Sequence, residues 1–155
     1  RLVLDKNENA KLVIMGEGSL RPKLQKVIDD GMLNQHILLA GFIANPYAVL
    51  KKANIFCLTS IWEGMPVVII EAMALGCPVV SVDCPSGPKE MIKNGVNGKL
   101  VSRDRKEIAD AIDYFLNNAE ERQRSANEAF QSAKEWDISK YMHKFTALLD
   151  HQLVE

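Results

Sequence analysis

The sequence predicts an α/β domain: a parallel sheet covered by helices on both faces. Two observations predict it. Five short apolar runs alternate with segments of helical periodicity. The runs are continuous rather than alternating polar and apolar, which is the pattern of strands buried on both sides. In chain order, residues 11–15 (KLVIM) form a strand that stops at Gly16-Glu17-Gly18. Leu20, Leu24, Val27 and Ile28 then recur at helical spacing up to Gly31. A second strand covers 36–41, and a short helix 46–52 has Pro46 in its first turn. Residues 55–58 are a third strand. Pro66 then takes the first position of a helix that runs to Leu75 and closes at Gly76. Residues 78–82 (PVVSV) form a fourth strand, SGPKEMI a short helix and 98–101 a fifth strand. From Arg105 onward the pattern is helical, with breaks near Asn117 and Asp137. Such a Rossmann-like layout binds ligands beyond the carboxyl ends of its strands. The loops 16–19, 41–46, 59–66 and 83–88 are therefore the candidates for function.

Composition narrows the class. The chain has 155 residues, one domain's worth, with 47% hydrophobic residues, enough for one core. A net charge of -1 excludes a nucleic-acid binder that works by bulk charge. Cys57, Cys77 and Cys84 are odd in number and lack C-x-x-C spacing, as expected of reduced thiols in a cytoplasmic protein. No apolar stretch approaches the ~18 residues of a membrane span. The first residues carry charges where a signal peptide has its apolar core. A start at Arg1 without Met reads as that of an excised segment, and the polar stretch before Lys11 as the one candidate linker.

The segment IWEGMPVVIIEAMALGCPVV holds the chemistry. Glu71 lies between Val67-Val68-Ile69-Ile70 and Ala72-Met73-Ala74-Leu75, in a helix apolar nearly all round. An ionised carboxylate in such company costs several kcal/mol unless it is paired. A ligand, an exposed edge or a structural Lys would each relieve it. Glu63 sits in the preceding loop beside Gly64 and Met65; alone it reads as an ordinary solvated glutamate. With Pro66 at the first helical position, the amides of Val67 and Val68 are expected as free donors at a positive helix end, which suits a phosphate. Carboxylates accept from sugar hydroxyls and amides donate to phosphate oxygens. A nucleoside diphosphate sugar offers both partners.

These residues resemble family 4 of the retaining glycosyltransferases, over about residues 11–116. The motifs that carry the resemblance are Gly16-Glu17-Gly18 after a strand, LLAGF, KKANIFCLTSIWEG, the glutamate pair, EAMALGCPVVS, GPKEMI and NGKLV. The variant DCPSGPKE is most like bacterial enzymes of surface-polysaccharide and lipid-linked oligosaccharide assembly. The resemblance implies that residues 1–155 are a single donor-binding lobe of a GT-B fold, with the N-terminal acceptor lobe absent. It implies that Glu63 contacts hydroxyls of the transferred sugar as the catalytic-site carboxylate. Glu71 would hold the ribose, the Val67 and Val68 amides would meet the diphosphate, and backbone near Ile43 would face the base. Gly16 and Gly18 would flank the nucleotide.

The implied reaction is retaining transfer of a hexosyl or N-acetylhexosaminyl group from a UDP-sugar to an acceptor hydroxyl, without metal or other cofactor. The implied partners are the nucleotide-sugar and the missing lobe, with no nucleic acid. The implied location is cytoplasmic, with any peripheral association at the inner face of a membrane made through that lobe. Two departures stand out. Many members have Gly where this chain has Pro66, so one amide donor is lost. The family's basic Arg and Lys lie on a glycine loop ahead of Arg1, and neither Arg1 nor Lys6 sits in that motif. The isolated domain is therefore expected to be inactive, and a nucleotide-binding domain without transfer activity is the alternative.

Other features have plainer readings. Gly16-Glu17-Gly18 lacks the third glycine of a dinucleotide fingerprint, since position 21 is Arg, and this argues against a dehydrogenase. A non-catalytic scaffold domain is opposed only by Glu71 and the helix-end amides. His36, His143 and His151 have no metal spacing and suit surface or capping roles. Glu120, Glu121, Arg122 and Arg124 read as a solvated helix face. Trp136, Tyr141, Phe145 and Leu148 read as core packing, or as a last helix crossing to the missing lobe.

Overall fold

The computed structural model describes residues 1–152, and for His143, Lys144, Asp150, His151 and Gln152 the backbone alone. The readings of the His143 and His151 side chains therefore lie outside the described residues. The elements are β1 (Leu12–Met15), α1 (Arg21–Asp30), β2 (Ile37–Gly41), α2 (Tyr47–Leu50), β3 (Phe56–Leu58), α3 (Val67–Ala74) and β4 (Val79–Val82). After them come α4 (Pro88–Met91), β5 (Gly98–Val101), α5 (Arg105–Asn117), α6 (Ala119–Ala133), a 3-10 turn (Lys134–Trp136) and α7 (Ile138–Gln152). The expected alternation is present, with ends moved by one or two residues.

Every strand pairing is parallel, but the backbone bonds form two ladders rather than one sheet. β1 pairs with β2, while β3, β4 and β5 pair in that order. The register of β1 slips between Ile14 and Met15, and Gly16 then bridges to Gly41. The two ladders are joined by packing: Met15 lies against the same apolar cluster as Phe56 and Leu58.

Helical cover centres on β4, whose four residues are all buried. Val79 faces one core with Ile69 and Met73 of α3 and Ala129 and Ala133 of α6. Val80 faces a second core with Ala111 and Phe115 of α5. Adjacent residues of a strand point to opposite faces, so one central strand serves both layers. Cover is thinner over β1 and β2, where Leu12, Val13 and Leu38 stay exposed.

Three readings change. The polar stretch before Lys11 is anchored, not a linker. The Lys6 ammonium bridges Asp110 at 3.0 Å and Asp113 at 3.1 Å, and Asn7 donates to Asp113 at 2.8 Å. The Asp113 carboxylate is buried and needs such partners. Arg122 leaves the solvated face to cap α5, donating to the Phe115 carbonyl at 2.6 Å and that of Leu116 at 3.2 Å. Trp136 does pack on the core and stacks on Tyr141 at 6.1 Å between centroids. Phe145 and Leu148 are exposed, because α7 leaves the core after the 3-10 turn. Cys57 keeps some surface, yet burial pushes its thiol up to about 12, and that of Cys77 up to about 11. Neither is a reactive thiolate near neutral pH.

Asn97 ties the layers together. It is fully buried, accepts from the Lys93 amide at 2.7 Å, and donates to the Met91 carbonyl at 3.1 Å and Ser132 Oγ at 3.0 Å. Replacing it would leave three polar partners without their bond. Asn97→Ala is expected to cost ~2–4 kcal/mol. That corresponds to roughly 5–12 °C in a thermal melt followed by circular dichroism.

Candidate functional site

The site is built around the start of α3. Ile69, Ala72 and Met73 are fully buried, so the helix is held along its inner face. Pro66 precedes it with φ -76° and ψ 77°, the geometry of an inverse γ-turn. The Val67 amide accordingly donates to the Met65 carbonyl at 2.9 Å. This corrects the sequence expectation twice. Pro66 is the cap residue rather than the first helical one, and the Val67 amide is consumed by the turn. The Ile69 amide donates to the Pro66 carbonyl at 2.9 Å. Among the described residues the Val68 amide has no partner, and it lies at the positive end of the helix.

A second loop pins this turn. The Glu63 amide donates to the Pro85 carbonyl at 3.3 Å. Ser86 and Gly87 both have positive φ, 66° and 95°, which carries the chain sharply over Pro66. A Cβ on Gly87 would meet Pro66 Cδ at 2.3 Å and the Gly64 carbonyl at 3.2 Å. Only glycine fits there. Glu63 is thus half-buried beside an exposed Gly64 and Met65.

Glu71 has a partner that the sequence did not reveal. The Tyr47 hydroxyl donates to Glu71 Oε1 at 2.9 Å. Glu71 lies one turn beyond Val67 and is half-buried. The hydrogen bond to Glu71, then the charge of Glu71, raises the Tyr47 phenol above its ordinary value. A hydrophobic pattern cannot find this pair, because Tyr47 reads as an ordinary residue of a short helix. Its one signal is that the helix follows the loop after β2.

The remaining loops meet at the same ends of the strands. Gly16, with φ 121°, donates its amide to the Gly41 carbonyl at 2.8 Å. Glu17 bonds Arg21 at 2.9 Å, and Arg21 also donates to the Leu39 carbonyl at 2.9 Å. Gly18 is exposed and its carbonyl accepts from the Arg21 amide at 3.0 Å. Ile43 is half-buried next to an exposed Phe42. A surface cavity of about 360 Å³ is lined by Gly16, Gly18, Arg21 and Leu39 among others. A larger one of about 450 Å³ lies at the far end of α3 against α6, away from both glutamates. The helix end and the two glutamates stand on an open face with exposed Ile61, Trp62, Met65 and Val67.

The arrangement can offer a backbone donor to an anion and a carboxylate to hydroxyls on one helix, with a second carboxylate in the loop before it. Among the described residues no three His, Cys, Asp or Glu side chains gather as a metal site would require. No helix among them is long and apolar enough to cross a membrane.

Comparison with known proteins gives this geometry a context. The family model described as glycosyl transferases group 1 matches residues 1–132. An uncharacterised glycosyltransferase of Methanocaldococcus jannaschii is 32% identical across 96% of this chain and 44% of its own length. An N-acetylgalactosamine-N,N'-diacetylbacillosaminyl-diphospho-undecaprenol 4-alpha-N-acetylgalactosaminyltransferase of Campylobacter jejuni is 35% identical across 82% of the chain and 35% of its own length. A mutant of S. aureus TarM, solved with Fondaparinux, alpha-GlcNAc-glycerol and UDP, superimposes with a TM-score of 0.90. It is 30% identical, over 95% of this chain and 30% of that one. The chain therefore spans less than half the length of each of these relatives.

The contact between Gly87 and Pro66 makes a stability prediction with an internal control. Gly87→Ala should lose ~2–4 kcal/mol, from positive φ and the clash with the ring. Gly95 has φ 78° but open space around a Cβ. Gly95→Ala should lose only ~1 kcal/mol. Urea unfolding of both variants checks the difference.

Proposed function

The chain belongs to the group 1 glycosyl transferases, and on that premise we propose that it is the donor-binding half of a retaining enzyme that takes its sugar from a UDP-sugar. One observation carries the reading. α3 presents an unpaired amide at its positive end and, one turn on, a carboxylate fixed in place. A nucleoside diphosphate needs both an anion site and an acceptor for its ribose. The UDP held by TarM, at 30% identity, supports the choice of nucleotide.

In this reading the Val68 amide meets the diphosphate, helped by the helix dipole and by backbone at Gly64 and Met65. Glu71 accepts from the ribose hydroxyls. Glu63 accepts from hydroxyls of the transferred sugar, backbone near Ile43 faces the base, and Gly16 and Gly18 flank the nucleotide. The engagement of the Val67 amide leaves fewer helix donors for the phosphates than the family pattern would supply. In this reading the neutralising charge comes chiefly from basic residues outside this chain. Arg21 is already bonded to Glu17 and the Leu39 carbonyl. No metal is called for when cations and amides are preorganised around the leaving group.

The sugar is a hexosyl or N-acetylhexosaminyl group, and the acceptor a polysaccharide, lipopolysaccharide or lipid-linked glycan; the Campylobacter jejuni relative, an N-acetylgalactosaminyltransferase named for a diphospho-undecaprenol acceptor, supports the second sugar and the last acceptor. The exposed apolar rim of Phe42, Ile61, Trp62 and Met65 suits a cleft closed by a second lobe. Without that lobe an acceptor is not oriented, so the domain binds but does not turn over.

Two measurements test the reading. Glu71→Ala should weaken UDP binding at least about tenfold by calorimetry, since it removes a charged acceptor. NAD should not bind the parent, and equal UDP affinity in parent and variant would overturn the assignment. Glu63→Gln should leave UDP affinity nearly unchanged while lowering the preference for UDP-sugar over UDP. An equal loss for both ligands would make Glu63 a loop residue only.

A further inference from the structure

Tyr47 opens a helix of four residues, yet its place is well determined. Pro46 caps the helix, Asn45 accepts from the Ala48 amide at 3.4 Å, and Leu50 is buried in the core that also holds Ile69 and Met73. α2 therefore moves with α3. From this seat the phenol reaches Glu71 Oε1 at 2.9 Å. The tyrosine is itself exposed, so water could satisfy its hydroxyl just as well. The bond is not a rescue of a buried phenol. Its consequence falls on the carboxylate.

We propose that Tyr47 is a positioning residue for Glu71, holding Oε1 so that Oε2 is presented to the ribose hydroxyls of the donor. The inference rests on the assignment of Glu71 to the ribose and deepens it. A glutamate on a helix surface samples several rotamers, and a ligand that needs one of them must order it on binding. A phenol bonded to one oxygen carries out that ordering in advance. An ionised carboxylate has about four acceptor positions, so one bond at Oε1 leaves Oε2 wholly free. Because Glu71 also raises the phenol above its usual range, Tyr47 keeps its proton, and remains a donor, through neutral and mildly alkaline pH. The pair would set how strongly the domain distinguishes ribonucleotides from nucleotides that lack the ribose hydroxyls.

The test compares UDP with 2′,3′-dideoxy-UDP on the 155-residue chain, by ligand-observed NMR titration. The proteins are the parent, Tyr47→Phe and Glu71→Ala. The parent should favour UDP about tenfold, the worth of a charged hydrogen bond. Tyr47→Phe removes only an exposed hydroxyl and keeps the ring, and its fold is checked by circular dichroism. It should reduce the preference to about two- to threefold, by weakening UDP while leaving dideoxy-UDP unchanged. Glu71→Ala should abolish the preference. An undiminished preference in Tyr47→Phe beside a lost one in Glu71→Ala would overturn the role of Tyr47 and leave Glu71 on the ribose. Equal weakening of both ligands in Tyr47→Phe would assign Tyr47 to structure alone. No preference in the parent would overturn the assignment of Glu71, and the proposal with it.

Discussion

The seat of α3 on β4 is the constraint on which the rest of the structure depends. Ile69, Ala72 and Met73 are sealed against Val79 and α6, leaving the helix no freedom to slide or roll. Its start must then emerge at the carboxyl ends of the strands. There the chain has three residues, Gly64, Met65 and Pro66, between Glu63 and the first helical turn. The γ-turn at Pro66 is the consequence, and Gly87 is what lets the neighbouring loop lie over it. The candidate surface is made rigid chiefly by packing that lies behind it.

Charges in this domain are placed where the packing can tolerate them. Asp113 is buried and is met by Lys6 and Asn7. Arg122 is half-buried and spends its charge on the carbonyl end of α5. Glu71 is half-buried beside an apolar face and is met by a neutral phenol rather than a cation. That difference matters. A cation would neutralise the carboxylate, whereas a phenol leaves it an anion with an oxygen to spare. The buried Asp113 is met by a cation, whereas Glu71 is met by a phenol.

Apolar surface is unevenly divided. One strand, β4, is buried along its whole length between two cores, and most of the packing gathers around it. Exposed apolar side chains collect over β1 and β2, around the loops at the strand ends, and along α7. The loop group is the one that adjoins the candidate site. There the open apolar rim and the polar helix end lie side by side, the mixed character of a ligand cleft seen from one wall.

The sequence by itself determined the alternation of strands and helices, because the period of apolar residues is a local property of the chain. It also singled out the helix of the candidate site: a glutamate amid Val67–Ile70 and Ala72–Leu75 is conspicuous wherever the chain folds. The family resemblance was likewise legible, since it rests on ordered motifs. Three things were decided only by tertiary structure. The number of free amides at α3 depended on a turn angle at Pro66, which no pattern of residue types encodes. The anchoring of the polar N-terminal stretch depended on Asp113, more than 100 positions away. The partner of Glu71 depended on packing a four-residue helix against α3, across 24 positions of sequence. Hydrogen bonds between distant side chains leave no periodic trace, so a reader of the sequence can find the charge that needs a partner but not the partner itself.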